Sequence, residues 1–270
     1  MQDGGLMKNN REKIIFFGNG PLADFALKKL EQKFEIVFHA RTKEDLDKVR
    51  EIKKNDSYVH GILASFGVMV PESVLEIFEP EGILNIHPSL LPAFRGASPI
   101  ESAILAGNND YSVSVMKLVK TMDAGPVYHQ ATLSDLPLDK NEIYRALAET
   151  GAEWICDNLS NLPEPIIQDD TKATFCGKLT KSMGNLTPKI DTAEQTLRKI
   201  VAFQGFPKPK YAFFGINCII LGAHILKSDE TAVLSIPCAD GAILAIDRLQ
   251  PEGRKPMDAK AFLNGYGKKK

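Results

Sequence analysis

The stretch Lys13-Ile-Ile-Phe-Phe-Gly18-Asn-Gly20-Pro21-Leu-Ala23 sets the architecture. Its apolar run ends in glycine and reads as a buried strand. Pro21 stands where a helix begins, and Leu22, Phe25, Ala26, Leu27 and Leu30 follow at helical spacing. The same alternation recurs downstream. Strands are expected over 35–39, 61–64 and 82–86. Helices are expected over 42–54 behind a Thr42 cap, from Pro71 to about 78, and over 100–106 behind the Ser98-Pro99 cap. Two more strands, 113–119 and 127–132, precede a long amphipathic helix over 141–162. This pattern implies an α/β, Rossmann-like, mostly parallel sheet with helices on both faces. Ligands of such sheets bind beyond the carboxyl ends of the strands, so functional residues should follow Gly18, His39, Ala64 and Ile86.

The back half has another texture. Residues 163–186 show no sustained period. A helix over 192–203 is followed by strands at 210–214, 218–225, 232–236 and 242–249, separated by turn signals, which reads as a small OB-like β-barrel. The expected organisation is a catalytic domain over 1–167, a linker over 168–186 and a C-terminal nucleic-acid-binding domain over 187–270. Charge divides in the same way. Residues 1–171 hold 17 Lys/Arg against 26 Asp/Glu, and residues 172–270 hold 16 against 8, so a net charge of −1 conceals −9 in front and +8 behind. A basic back part suggests an anionic partner, and Lys208 and Lys210 are candidate contacts within it.

The 270 residues are 44% hydrophobic and 25% charged, which excludes a collagen-like, mucin-like or wholly disordered chain. No apolar run approaches the ~20 residues of a membrane helix. Residues 1–13 are polar and lack the core of a signal peptide, and Met7 is an alternative start that would make 1–6 an extension. Cysteines 156, 176, 218 and 238 include no C-x-x-C pair, so neither a zinc nor a redox motif is indicated, and a cytoplasmic location is expected.

Three groups of residues could carry chemistry. Gly18-Asn-Gly20-Pro-Leu-Ala23 fits G-x-G-x-x-A, with Arg41 placed for the 2′-phosphate of NADP. The competing reading is a tight turn that packs the first helix on the sheet. In Asn85-Ile-His87-Pro-Ser-Leu-Leu-Pro92-Ala-Phe-Arg95-Gly96-Ala-Ser-Pro99, Asn85 and His87 share one face of a strand at its carboxyl end. An amide beside an imidazole can hold a carbonyl oxygen as it becomes an oxyanion. Asp123, in Thr121-Met-Asp-Ala-Gly-Pro126, could orient that imidazole or serve simply as a turn residue.

The Asn-x-His-x-Ser-Leu-Leu-Pro-x-x-Arg-Gly-x-x-Pro string, followed by Asp-x-Gly, resembles the folate-dependent formyltransferases. The back half, from Ala173 through Phe203-Gln-Gly-Phe-Pro207 to Phe262-Leu-Asn264-Gly, is similar to the C-terminal barrel of those members that act on methionyl-tRNA in translation initiation. The resemblance implies a catalytic trio of Asn85, His87 and Asp123. It implies folate contacts from Ser89, Leu90, Leu91, Pro92, Phe66, Gly67, Val68 and Met69, and substrate contacts from Arg95 and Gly96. The implied co-substrate is 10-formyltetrahydrofolate without a metal, and the implied partner is initiator methionyl-tRNA, bound by a monomer away from membranes. Relatives acting on sugar nucleotides or glycinamide ribonucleotide share the trio but need no basic domain. Where many tRNA-specific members carry a long basic insertion after the second strand, residues 41–56 form a compact charged stretch. Discrimination is therefore expected to rest on the C-terminal part.

Overall fold

The computed structural model describes residues 11–267. The alternative start at Met7 and the lysine tail at 268–270 lie outside the described residues. In chain order the front elements are β1 (Lys13–Gly18), α1 (Pro21–Leu30), β2 (Glu35–Ala40), α2 (Asp45–Asn55), β3 (His60–Ala64), α3 (Glu72–Leu75), β4 (Ile83–His87), the short β5 (Arg95–Gly96), α4 (Pro99–Leu105), β6 (Tyr111–Lys117), β7 (Val127–Leu133) and α5 (Lys140–Asn158). The chain divides into two compact units. The first comprises, of the described residues, 11–96, 110–134 and 141–175.

That first unit is built on a six-stranded sheet of order β2-β1-β3-β4-β6-β7. β1 to β4 run parallel, while β6 runs antiparallel to β4 and β7 antiparallel to β6. This is the expected Rossmann-like architecture with an antiparallel extension. Strand parity sorts the side chains. Ile15, Phe17, Leu63 and Ile83 pack with Leu46 and Val49 of α2 and Val74 and Leu75 of α3. The opposite face takes α1 and α5. A Cβ on Gly151 of α5 would lie 2.7 Å from Ile86 Cγ2 and 3.3 Å from Val113 Cγ2, so glycine lets α5 close on β4 and β6.

Helix starts differ from expectation where the cap differs. Thr42 does not cap α2. The Asp45 carboxylate accepts the N–H groups of Arg41 and Thr42 at 2.7 and 2.8 Å and starts the helix later. Ser98 gives no side-chain cap to α4, although Pro99 stands in its first turn as expected. α5 ends at Asn158, whose side chain turns back to the Trp154 carbonyl at 2.8 Å.

The second unit comprises, of the described residues, 97–109, 135–140 and 176–267. After β8 (Phe175–Cys176), at the boundary of the two ranges, its further elements are α6 (Ala193–Ala202), β9 (Lys210–Phe213), β10 (Ile216–Ile225), β11 (Ser235–Pro237), β12 (Ile243–Pro251), β13 (Met257–Asp258) and α7 (Ala259–Tyr266). β11, β12, β10 and β9 form an antiparallel half-barrel sheet in that order, with β13 added on β12. Ile200, Phe213, Ile220, Ile236, Leu244, Leu249 and Phe262 fill its core. Thr192 and Gln195 form a capping box on α6. Asp258 caps α7, which the sequence reading passes over, by accepting the Ala261 N–H at 2.6 Å. Among the described residues no helix is long and apolar enough to cross a membrane.

Candidate active site

Asn85 and His87 end β4 on the face shared with Ile83, and each is only 5% exposed. Every fully buried side-chain nitrogen or oxygen among the described residues has a hydrogen-bond partner. The Asn85 amide has none there, so it opens onto solvent at the strand end. A ligand oxygen arriving at the strand end could accept a hydrogen bond from it.

His87 is held at both ring nitrogens. Nε2 lies 3.1 Å from the Phe94 carbonyl, and Nδ1 lies 3.6 Å from Asp123 Oδ1. A carbonyl only accepts, so Nε2 carries the proton of the neutral ring and Nδ1 faces the carboxylate. The 3.6 Å separation is too long for a hydrogen bond but short enough for an ion pair. The Phe94 carbonyl is therefore the direct anchor of the ring, which motif spacing alone does not show. Asp123 adopts a left-handed backbone (φ 51°), and its Oδ2 accepts the Gly96 N–H at 2.8 Å. Its other oxygen faces His87.

The loop after β4 is braced from β6 and β7. Ser114 Oγ donates to the Ser89 carbonyl at 2.7 Å and accepts the Leu91 N–H at 3.1 Å. Gln130 Nε2 donates to the Leu91 carbonyl at 2.8 Å and to Ser114 Oγ at 3.0 Å. Ser89 Oγ donates to the Ala93 carbonyl at 2.6 Å, and the Leu91–Pro92 peptide is cis. Leu91 is buried against Met116 and Val127, while Leu90 is exposed. Phe66 packs edge-on to Phe17 in the core, with Gly67 and Met69 exposed and Val68 half-buried after β3. Arg95 is buried, with its guanidinium on Gln168 and Asp170. Lys208 and Lys210 are exposed in the second unit. Gln168, assigned from sequence to a linker, donates to the carbonyls of Asp123 and Gly125 at 2.8 and 2.7 Å. No local signal marks it.

The turn after β1 serves packing. A Cβ on Gly18 would lie 2.3 Å from the Ala64 carbonyl oxygen and 2.7 Å from Ala23 Cβ. Asn19 donates its N–H to the Ser65 carbonyl at 3.1 Å and its side-chain amide to the Arg41 carbonyl. Its donors thus tie strand ends together instead of forming a pyrophosphate cradle. Burial pushes the thiols of Cys156, Cys218 and Cys238 up, which makes them poor nucleophiles near neutral pH.

An amide donor and an imidazole beside a carboxylate, over the carboxyl end of a parallel sheet, suit transfer of an acyl group between nucleophiles. The comparisons identify the class. Residues 14–159 match the formyl transferase model, and residues 178–267 match the model of the formyl transferase C-terminal domain. A methionyl-tRNA formyltransferase of Granulibacter bethesdensis is 34% identical over 221 residues, spanning 76% of this chain and 67% of that protein. The crystal structure of HypX from Aquifex aeolicus in complex with tetrahydrofolic acid superposes with a TM-score of 0.71 at 17% identity, over 95% of this chain and 47% of that one. Methionyl-tRNA formyltransferase from Clostridium thermocellum gives a TM-score of 0.66 at 18% identity, over 89% and 98%. The chain belongs to the formyl transferase family and is a one-carbon transferase.

Proposed function

We propose that this chain transfers the formyl group of 10-formyltetrahydrofolate to the α-amine of methionine esterified to initiator tRNA, as a cytoplasmic monomer. The observation that carries the chemistry is the Asn85 amide, buried, open to solvent and without an internal partner, one strand position-pair away from His87. The name of the Granulibacter relative and the tetrahydrofolate in the Aquifex structure support the choice of substrates.

The folate supplies the one-carbon unit on N10 when bound. Ser89 to Pro92 and Phe66 to Met69 would flank it. Asn85 donates to the formyl oxygen as negative charge gathers there, and protonated His87 donates from Nδ1. One such donor is typically worth about 2.7–4 kcal/mol. Phe94, through its carbonyl, keeps the ring aimed, and Asp123 stabilises the imidazolium. The attacking α-amine, with a free pKa of ~7.7–8.0, is partly neutral near pH 7. Asp123 accepts the proton it sheds and returns it, through water, toward the leaving nitrogen. Lys208, Lys210 and the basic back part would meet tRNA phosphates.

The test is formyl transfer from radiolabelled 10-formyltetrahydrofolate. Charged initiator tRNA should accept label, whereas uncharged tRNA, free methionine, amino-sugar nucleotides and glycinamide ribonucleotide should not. Transfer to one of the small amines alone would replace the tRNA reading. Affinity for tRNA should also fall with salt, with a log–log slope of roughly −0.7 to −0.9 per phosphate contact, and a flat salt response would remove the back part from tRNA binding.

A further inference from the structure

The geometry points to Gln168 as a positioning residue for Asp123, acting through the Asp123 backbone. This rests on the proposed role of Asp123 in proton transfer. Both amide hydrogens of Gln168 are engaged, one on the Asp123 carbonyl at 2.8 Å and one on the Gly125 carbonyl at 2.7 Å. Its Oε1 accepts from Arg95 Nε and Nη2 at 3.1 and 2.7 Å. Arg95 Nη2 also pairs with Asp170 Oδ1 at 2.7 Å. The side chain thus joins two loops that are distant in sequence.

The loop it joins to Asp123 carries the other anchors of the site. Phe94 accepts His87 Nε2 at its carbonyl, and Gly96 donates its N–H to Asp123 Oδ2. Arg95 stands between them, and segment 168–174 holds this tripeptide. The Phe94 N–H donates to Thr174 Oγ1 and the Arg95 N–H to the Thr174 carbonyl, each at 2.9 Å. The same segment therefore fixes the anchors of His87 and, through Gln168, the backbone of Asp123. That backbone sits at φ 51°, a conformation that non-glycine residues adopt infrequently and that surrounding contacts must hold. Two donors, placed on residues 123 and 125, span the turn.

Glutamine is the side chain that fits. Glutamate would keep the acceptor for Arg95 but present oxygen to two carbonyls 2.7–2.8 Å away. The substitution Gln168→Glu therefore separates the two ends of the link.

The experiment compares wild type, Gln168→Glu, Asp123→Asn and the double variant in formyl transfer to charged initiator tRNA, with Gln168→Met as the alternative should the glutamate variant not fold. Gln168→Glu should lower kcat 10- to 100-fold and change KM for either substrate less than threefold. In the Asp123→Asn background it should cost less than a further twofold, since a residue that acts through Asp123 has nothing left to position. An equal loss in both backgrounds, or wild-type kcat in both Gln168 variants, overturns the proposal. A second readout does not depend on turnover. Hydrogen-exchange protection of the Gly96 N–H, which Asp123 accepts, should fall at least tenfold in Gln168→Glu, and unchanged protection overturns the proposal even if the substrate is another amine. A wild type that formylates no charged tRNA would count against the proposed function alone.

Discussion

Two turns leave the carboxyl end of the same sheet, one after β1 and one after β4, and they use their polar groups in opposite ways. In the first, His39 Nε2 meets the Gly18 carbonyl at 2.9 Å, Asn19 bonds to Ser65 and Arg41, and Gly18 has no space for a side chain. Its donors hold neighbouring strand ends together. In the second, the backbone is secured by Ser114, Gln130 and Thr174, while the Asn85 amide has no partner among the described residues and His87 Nδ1 faces only a carboxylate at 3.6 Å. Both turns occupy a position where ligands of parallel sheets bind. Position is therefore insufficient. On the proposed reading, chemistry falls to the turn whose framework is satisfied by other residues, leaving the Asn85 amide available for a substrate.

The strongest way to break that contrast is to remove the available donor. Asn85→Ala should lower kcat for formyl transfer about 10²–10³-fold, because the developing charge loses one of two donors. Stability should change by less than ~1 kcal/mol, since no internal hydrogen bond is lost. Steady-state kinetics and urea unfolding measure the two effects. A variant that loses stability and keeps its rate would place Asn85 with the packing residues of the first turn.

Gly18→Ala is the mirror experiment. The new methyl would sit 2.3 Å from a backbone oxygen and 2.7 Å from Ala23 Cβ, and neither can swing aside as a flexible side chain can. Overpacking of this kind costs about 1–3 kcal/mol, visible as a lower urea midpoint, while kcat per folded molecule should hold. Saturable NADPH fluorescence in the wild type would instead restore the dinucleotide reading of this turn.

The contrast also explains what was legible in the sequence. β1, its turn and α1 could be read because an apolar run, a proline and a helical period are local signals. Asn85 and His87 could be paired because strand parity is local too. Gln168 could not. It lies in a segment without period, and its partners are 45 and 73 residues away. The Phe94 carbonyl was hidden for a similar reason, since a backbone acceptor leaves no trace in residue identity. α7 has eight residues, with Ala259 and Phe262 buried, too few turns to display a period. The start of α2 differs from the sequence expectation because Asp45, three residues after Thr42, draws the N–H groups of Arg41 and Thr42 onto its carboxylate ahead of the helix.

The amino end of the sheet offers a smaller test. Burial holds the His60 imidazole, at the start of β3, below its usual pKa of 6.5, and burial does the same to His129 of β7, which stacks on Trp154 at 5.2 Å and lies in register, through Val115, with Ile86 towards the other end of the sheet. Above pH 6.5 folded and unfolded chains are both neutral there, so stability is full. As pH falls below 6.5 the unfolded chain binds protons that the folded chain resists, and stability declines until the folded pKa is passed. Urea midpoints between pH 7.5 and 5.5 should follow this course, and His60→Gln should flatten part of it without altering kcat at pH 7.5. An unchanged slope would show that His60 is not protonated on unfolding in this range. A fall in kcat would mean that the amino end of the sheet takes part in the chemistry.

Arg41→Ala should do least. The residue stands at the turn after β1, yet its firm contacts are made by its backbone. Its carbonyl accepts from Asn19 and its N–H donates to Asp45. Truncation removes exposed contacts from Nε and Nη2 to His39 Nδ1, each at 3.3 Å. Stability should stay within about 0.5 kcal/mol, and kcat and KM for charged tRNA should stay within twofold. A tenfold rise in KM for tRNA alone would make this arginine a phosphate contact, so that the β1 turn would serve the substrate through a cation even though its amide donors serve the fold.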